Sequence, residues 1–227
     1  MIYGETNSGK TEVVRSFVNK RKTEGATDIL FFRAPDKATE GRLYDKMLRA
    51  LNAPYKSSET PATKKDAVYS LLESQVKLVV IDDFSNLIAS SDSMKKLFLI
   101  TFREMVTDLE LAIAATGIDA AKEVLSFDDQ MRNRFDFFEV PKWEYNETYL
   151  SLIKSFEHSY GFPKSSDLVR FSKFIHDKSG GYLGQTRNLL KKAALLAIEE
   201  RSDRILKKHL GAVDMDEHDD QKTTSDS

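Results

Sequence analysis

Two periodicities alternate along the first two thirds of the chain. Val13, Val14, Phe17 and Val18 recur at helical spacing and predict a helix over residues 11–22. Residues 40–51, 62–73 and 92–107 repeat that pattern, and the segment 52–61, with two prolines and several Ser/Thr, reads as a loop. Between these helices lie short, nearly continuous apolar runs at 28–33, 77–81, 109–116 and 137–140, preceded by a minimal strand at 1–3. Such runs are typical of strands buried on both faces of a parallel sheet. Strand and helix in alternation predict an α/β fold, with a five-stranded parallel sheet between helices. From Trp143 onward the pattern is helical only, with helices expected at 147–160, 166–179, 183–201 and 203–210. The expected organisation is therefore a core at 1–142, a helical lid at 143–212 and an acidic, disordered tail at 213–227.

Composition narrows this little. A length of 227 residues suits one α/β domain with a small lid. The formal charge of -2 does not require nucleic acid as a partner, so any DNA contact must come from a local patch. The chain has no cysteine, which excludes disulfides and thiolate metal sites. His158, His176, His209 and His218 show no metal-ligand spacing. Without a signal peptide or a membrane-length apolar run, a soluble cytoplasmic protein with no membrane partner is expected.

The chemistry is concentrated at the first strand. Gly4-Glu-Thr-Asn-Ser-Gly-Lys-Thr11 matches the phosphate-loop pattern G-x-x-x-x-G-K-[ST] at every fixed position. The loop must turn tightly enough to aim backbone N–H groups at phosphates, and the following helix offers its positive end to the same anion. Gly4, Glu5, Thr6, Asn7, Ser8, Gly9, Lys10, Thr11 and Glu12 are thus the expected nucleotide-binding residues. Lys10 would reach the terminal phosphates and the Thr11 hydroxyl would ligate Mg²⁺. Downstream, Leu78-Val-Val-Ile-Asp82-Asp83 places two carboxylates at the ligand-binding edge of a buried strand. Asp82 is expected to hold Mg²⁺ through a bridging water.

These two motifs together resemble AAA+ ATPases, and the resemblance supplies further roles. Asp83 stands where such proteins usually carry the Glu that orients the attacking water. One methylene shorter, it implies slow hydrolysis. Thr116, at the end of the third apolar run, matches the polar sensor between the Walker motifs. Gln130-Met-Arg132-Asn-Arg134-Phe135 precedes the last strand, where an arginine can reach a neighbouring subunit's γ-phosphate; Arg134 is the first candidate and Arg132 the second. Gly184-Gln-Thr-Arg187 opens a lid helix, and Arg187 matches a second phosphate sensor.

Further residues narrow the resemblance. Ile81-Asp-Asp-Phe-Ser-Asn-Leu87, Thr116-Gly117, Asp129-Gln-Met-Arg-Asn-Arg-Phe135, Val140-Pro-Lys-Trp143 and Ser179-Gly-Gly-Tyr-Leu-Gly184, with Leu189, Leu190, Ala193 and Ala194, resemble the TniB/TnsC family of bacterial transposition ATPases. The similarity runs from Met1 to about Leu210. It implies an ATP- and Mg²⁺-dependent regulator that forms a homo-oligomeric ring or helical filament on double-stranded DNA, recruits a transposase and responds to a target-selection protein of the TniQ/TnsD type. It also implies a segment before the phosphate loop that helps hold the base. Here the loop follows Tyr3 directly, a departure from the family pattern at the segment that serves adenine selectivity and partner docking. Family members track the DNA backbone near the helices after the second strand. The matching stretch holds Lys37, Arg42, Lys46, Arg49, Lys56, Thr60, Thr63, Lys64 and Lys65, of which Arg42, Thr60 and Lys64 are the chosen contacts. Other AAA+ DNA-processing ATPases, initiator or helicase-loader-like, share the nucleotide residues. A non-hydrolysing, nucleotide-gated scaffold is the alternative from another class.

Overall fold

The computed structural model describes residues 1–37 and 39–215, and its chain divides into two compact units, Met1–Val140 and one that begins at Pro141. In the first unit, strands β1 (Ile2–Tyr3), β2 (Ile29–Arg33), β3 (Leu78–Asp82), β4 (Ala112–Gly117) and β5 (Phe138–Glu139) form one sheet in the order β2-β3-β4-β1-β5. Every pairing is parallel. Helix α1 (Lys10–Thr23) follows β1. Helices α2 (Glu40–Ala50) and α3 (Pro61–Gln75) link β2 to β3, and α4 (Asp92–Thr107) links β3 to β4. The short α5 (Lys122–Leu125) and α6 (Asp129–Arg132) precede β5.

Local chemistry sets the helix starts. Thr39, Thr60 and Ser91 cap α2, α3 and α4, each hydroxyl accepting a backbone N–H of the first turn, and Pro61 fits the first turn of α3, where a missing donor costs nothing. Alternation along the strands then sorts side chains to two faces. Leu30, Phe32, Val79, Ile81 and Ala115 join a large buried cluster with Leu43, Met47, Leu72, Phe98 and Phe102 of α2, α3 and α4. Each such large side chain stabilises the fold by about 1.5–3 kcal/mol. The other face is covered more thinly: only Val14, Val18 and Val80 are fully buried in its cluster, with Ile2, Ile29, Phe31, Leu78 and Ala114 partly so.

The second unit contains α7 (Glu147–Tyr160), α8 (Ser172–Ser179), α9 (Leu183–Glu199) and α10 (Lys207–Ala212). Asn146 caps α7, and Gly161 and Gly180, both left-handed, end α7 and α8. Tyr149, Ile153, Leu168, Ile175, Leu189, Leu190 and Ala193 form its core.

Three expectations need correction. The run 137–140 is an exposed edge strand, not a buried one, because among the described residues β5 pairs with β1 alone. The helix expected from 166 begins as a single tight turn at Leu168–Phe171, since Asp167 is left-handed and Glu157 draws the Asp167 and Leu168 N–H groups to its carboxylate. The last helix starts at Lys207 rather than 203. As for the tail expected at 213–227, Val213 is buried and Met215 packs on the same lid cluster, while residues 216–227 lie outside the described residues.

Candidate nucleotide site

The phosphate loop is built by its backbone. Asn7 and Gly9 both take positive φ (63° and 103°), the Ser8 N–H returns to the Glu5 carbonyl at 3.1 Å, and α1 starts at once with the Val13 N–H on the Gly9 carbonyl. Gly4 is fixed by space: a Cβ there would stand 2.9 Å from the Val140 carbonyl oxygen and 3.1 Å from Ser8 Oγ. Lys10 turns back into the loop. Its ammonium donates to the carbonyls of Gly4 (3.0 Å) and Glu5 (2.7 Å) and to Ser8 Oγ (3.4 Å). Burial pulls its pKa below the usual lysine range, against the opposing charges of Asp83, Asp82 and Glu5. The ammonium is thus held among the loop oxygens, at the position where a phosphate cradled by the loop would meet it.

The acidic strand end closes the site. Asp82 is buried, and its Oδ1 accepts from both Thr11 Oγ1 (2.9 Å) and Thr116 Oγ1 (2.5 Å). Thr116 Oγ1 also accepts from the Asp83 N–H at 3.2 Å. One threonine hydroxyl therefore ties the tip of β4 to both carboxylate residues at the tip of β3. Asp83 is left-handed (φ 52°), a conformation Asp tolerates better than most residues, and its carboxylate turns toward β2, where Arg33 Nε lies 2.7 Å from Oδ2. The following turn ties down the neighbouring loops: the Asn86 amide donates to Ala34 O (3.0 Å) and Asp36 Oδ1 (3.1 Å), and Ser85 Oγ accepts the Ile118 N–H.

The residues present fit a nucleotide with Mg²⁺. The glycine-dependent loop, the inward lysine, and a hydroxyl paired with a buried carboxylate are the donors that a triphosphate and a hard, oxygen-seeking cation require. Among the described residues there is no cluster of three or more His, Asp or Glu side chains to hold a metal unaided. Oxygen ligands from a nucleotide and water would have to complete the coordination.

The family model for the bacterial TniB protein matches residues 1–145. The chain belongs to the TniB family. No curated protein sequence matches it. Among solved structures, this TniB chain is similar to the Aeropyrum pernix ORC2 protein in its ADPNP–ADP complexes (TM-score 0.68, 16% identity, 92% of this chain and 59% of that one). It is equally similar to Cdc6p from Pyrobaculum aerophilum (TM-score 0.68, 17% identity, 90% and 56%). The replication initiator DnaA bound to AMPPCP and single-stranded DNA follows at TM-score 0.54 (17% identity, 88% and 57%). At these identities the likeness establishes the P-loop AAA+ fold. The TniB chain spans under two thirds of the length of each of these neighbours.

The remaining expected residues divide by their surroundings. Glu5, Thr6, Asn7 and Glu12 are exposed around the loop. Arg132 and Arg134 are exposed at and just beyond the end of α6, with no ion pair or side-chain hydrogen bond among the described residues. Arg187 is exposed in the second unit, where its charge acts on the partly buried Tyr160 of α7. Arg42 is exposed. The Thr60 hydroxyl is engaged as the cap of α3. Lys64 is buried, 2.7 Å from Asp45 Oδ1, with its ammonium also on the Ser57 carbonyl. In this structure its charge serves the α2–α3 contact and is not presented to a DNA backbone. Arg33 escaped the sequence reading. Its signal was available, a cation at the C-terminal tip of a buried strand, where ligands of open α/β sheets bind.

Among the described residues no helix is long and apolar enough to cross a membrane.

Proposed function

We propose that this chain is an ATP-dependent, DNA-binding regulator of transposition that assembles on duplex DNA and recruits a transposase, under a target-selection partner of the TniQ/TnsD type. The observation that carries the nucleotide part is the convergence of Lys10, Thr11, Asp82 and Thr116 behind a glycine-dependent loop. Membership of the TniB family supports the rest. So do the DNA complexes among its structural neighbours, which include the Aeropyrum pernix ORC1 protein in complex with DNA.

In this reading the loop N–H groups and Lys10 bind and orient the phosphates. Thr11 and Asp82 hold Mg²⁺, which supplies charge neutralisation at the phosphates when bound. Thr116 fixes the Asp82 rotamer and the Asp83 backbone. Asp83 orients water once its carboxylate leaves Arg33. Arg134 or Arg132 acts on a neighbouring copy's nucleotide, and Arg187 acts from the lid. Exposed Arg42 remains the DNA contact with the fewest other duties.

Turnover of ATP with and without duplex DNA tests the reading. Slow hydrolysis, lost in Asp82→Asn and raised by DNA, is expected. A second reading, a nucleotide-gated scaffold with negligible turnover, draws on the Arg33–Asp83 pair and would be favoured by DNA assembly with ATP but no phosphate release.

A further inference from the structure

The arginines expected to act on a neighbouring copy stand on a small support. Helix α6 has four residues, too few to hold its shape unaided. Side chains hold it from both ends of its first turn. Met131 is 1% exposed and packs in the main cluster. The Asp128 carboxylate caps the helix, its Oδ1 accepting the Gln130 and Met131 N–H groups at 3.0 and 3.1 Å. The other oxygen, Oδ2, lies 2.9 Å from Nη1 of Arg103 on α4. Beyond the cap the backbone runs on in hydrogen-bonded turns. The N–H groups of Arg132, Asn133, Arg134 and Phe135 return to the carbonyls of Asp128, Asp129, Met131 and Arg132. Residues 128–135 therefore form one piece, and the place where Asp128 is held decides the place where Arg134 is held.

Helix α4 is a firm anchor for that piece. It is 16 residues long, and Phe102 and Met105, beside Arg103, are buried. Packing does not duplicate the ion pair. A cavity of about 320 Å³ lies between α4 and the start of α6, walled by Lys96, Ile100, Phe127 and Gln130 beside the two paired residues. Open volume stands where apolar side chains would otherwise set the spacing, so the pair sets it. Lys95, over the Phe127 ring at 5.0 Å, steadies the chain one residue before the piece begins. The Asp128 side chain is only 10% exposed and that of Arg103 34%, which shields their contact from water better than an ordinary surface pair.

We propose that Arg103 and Asp128 are positioning residues for the arginine finger. By fixing the start of α6 they fix the point from which Arg134, with Arg132 as the second candidate, reaches the γ-phosphate of a neighbouring copy. Each copy's ion pair thus serves its neighbour's site; this rests on the trans role given to the two arginines above. A small misplacement of a group that acts in the transition state costs up to about a hundredfold in rate.

Asp128→Asn isolates the pair, because asparagine keeps an oxygen for the α6 N–H groups and removes the charge opposite Arg103. The variant should show a parental melting curve, parental assembly by sizing chromatography and parental affinity for an ATP analogue, while kcat with duplex DNA falls about tenfold or more. Arg103→Met leaves the cap untouched and should do the same, and the two changes together should be no worse than either alone. It carries the test if Asp128→Asn does not fold. The deciding arm is a mixture with Asp82→Asn, which is silent in its own site but has an intact α6. Turnover of the mixture should exceed the summed turnover of its two components several-fold, a rescue that a merely loosened fold would not show. Arg134→Ala and Arg132→Ala, each mixed with Asp82→Asn, are the reference. The positioning role is overturned if an arginine variant is rescued and the folded pair variants are not, if those variants turn over like the parent, or if they fail to assemble. If neither arginine variant loses turnover, or neither is rescued, the trans reading itself falls and the positioning role with it.

Discussion

Charged side chains meet opposite fates at the phosphate loop and along α2 and α3. At the loop, Lys10 is turned inward by backbone geometry that a short, spaced motif encodes, and buried Asp82 at the tip of β3 meets the same motif through the Thr11 hydroxyl. Along α2 and α3, cations of the same types are spent on the packing of the unit: Lys64 on Asp45, Lys65 on Glu104, and the Arg49 guanidinium on the Tyr55 hydroxyl. The difference teaches where residue type alone is informative. A lysine in a spaced motif has its surroundings specified with it. A lysine in a basic stretch does not, and burial decides what it does.

The comparison is most sharply tested by Lys10→Ala. Losing a charged donor to phosphate costs about 3 kcal/mol, roughly a hundredfold in nucleotide affinity, with the melting curve little changed. Titration calorimetry reads it, and near-parental affinity would break the contrast. Lys64→Ala should do the reverse. Leaving Asp45 without its partner should cost about 2 kcal/mol of stability in a urea titration, while the DNA affinity of the folded protein holds. Weakened DNA binding at unchanged stability would return Lys64 to the DNA contacts.

Arg33→Ala should have a smaller effect. Its pair with Asp83 is partly exposed and worth no more than about 1 kcal/mol, so freeing Asp83 should raise basal turnover by at most about fivefold. A fall in turnover would mean that Arg33 aids the chemistry. The smallest effect concerns acid. The Lys65 ammonium and, after the opposing cost of burial, the Tyr69 hydroxyl hold Glu104 below the usual glutamate range. A depressed carboxyl contributes stability that is complete above its unfolded pKa, about 4.3, and is lost as pH falls through the lower folded value. Glu104→Gln should therefore flatten the acid limb of the stability curve and leave neutral-pH nucleotide binding alone. An unchanged acid limb would show that the Lys65–Glu104 contact is not felt in solution.

Much of the architecture could be read from sequence because its signals are local. The expected helix at 92–107 coincides with α4, and the apolar runs at 28–33 and 77–81 became β2 and β3 within a residue or so. The edge position of β5 could not be read: Phe137 and Phe138 look like core residues until the pairing order leaves them outermost. The contact of Arg33 with Asp83 joins residues 50 apart in sequence and depends on the parallel register that sets Arg33 beside Asp82. Periodicity carries no such information. The hydrogen bonds of the Thr116 hydroxyl to Asp82 and from the Asp83 N–H likewise join residues more than 30 apart and depend on the pairing of β3 with β4.

The central claim is that nucleotide held by the loop governs binding to DNA. The most direct test is the affinity of duplex DNA, by fluorescence anisotropy at fixed salt, for parent and Lys10→Ala with a slowly hydrolysed ATP analogue, with ADP, and without nucleotide. The account predicts tight binding only for the parent with the triphosphate. Equal binding under all three conditions, or a Lys10→Ala variant that binds DNA like the parent, would contradict it.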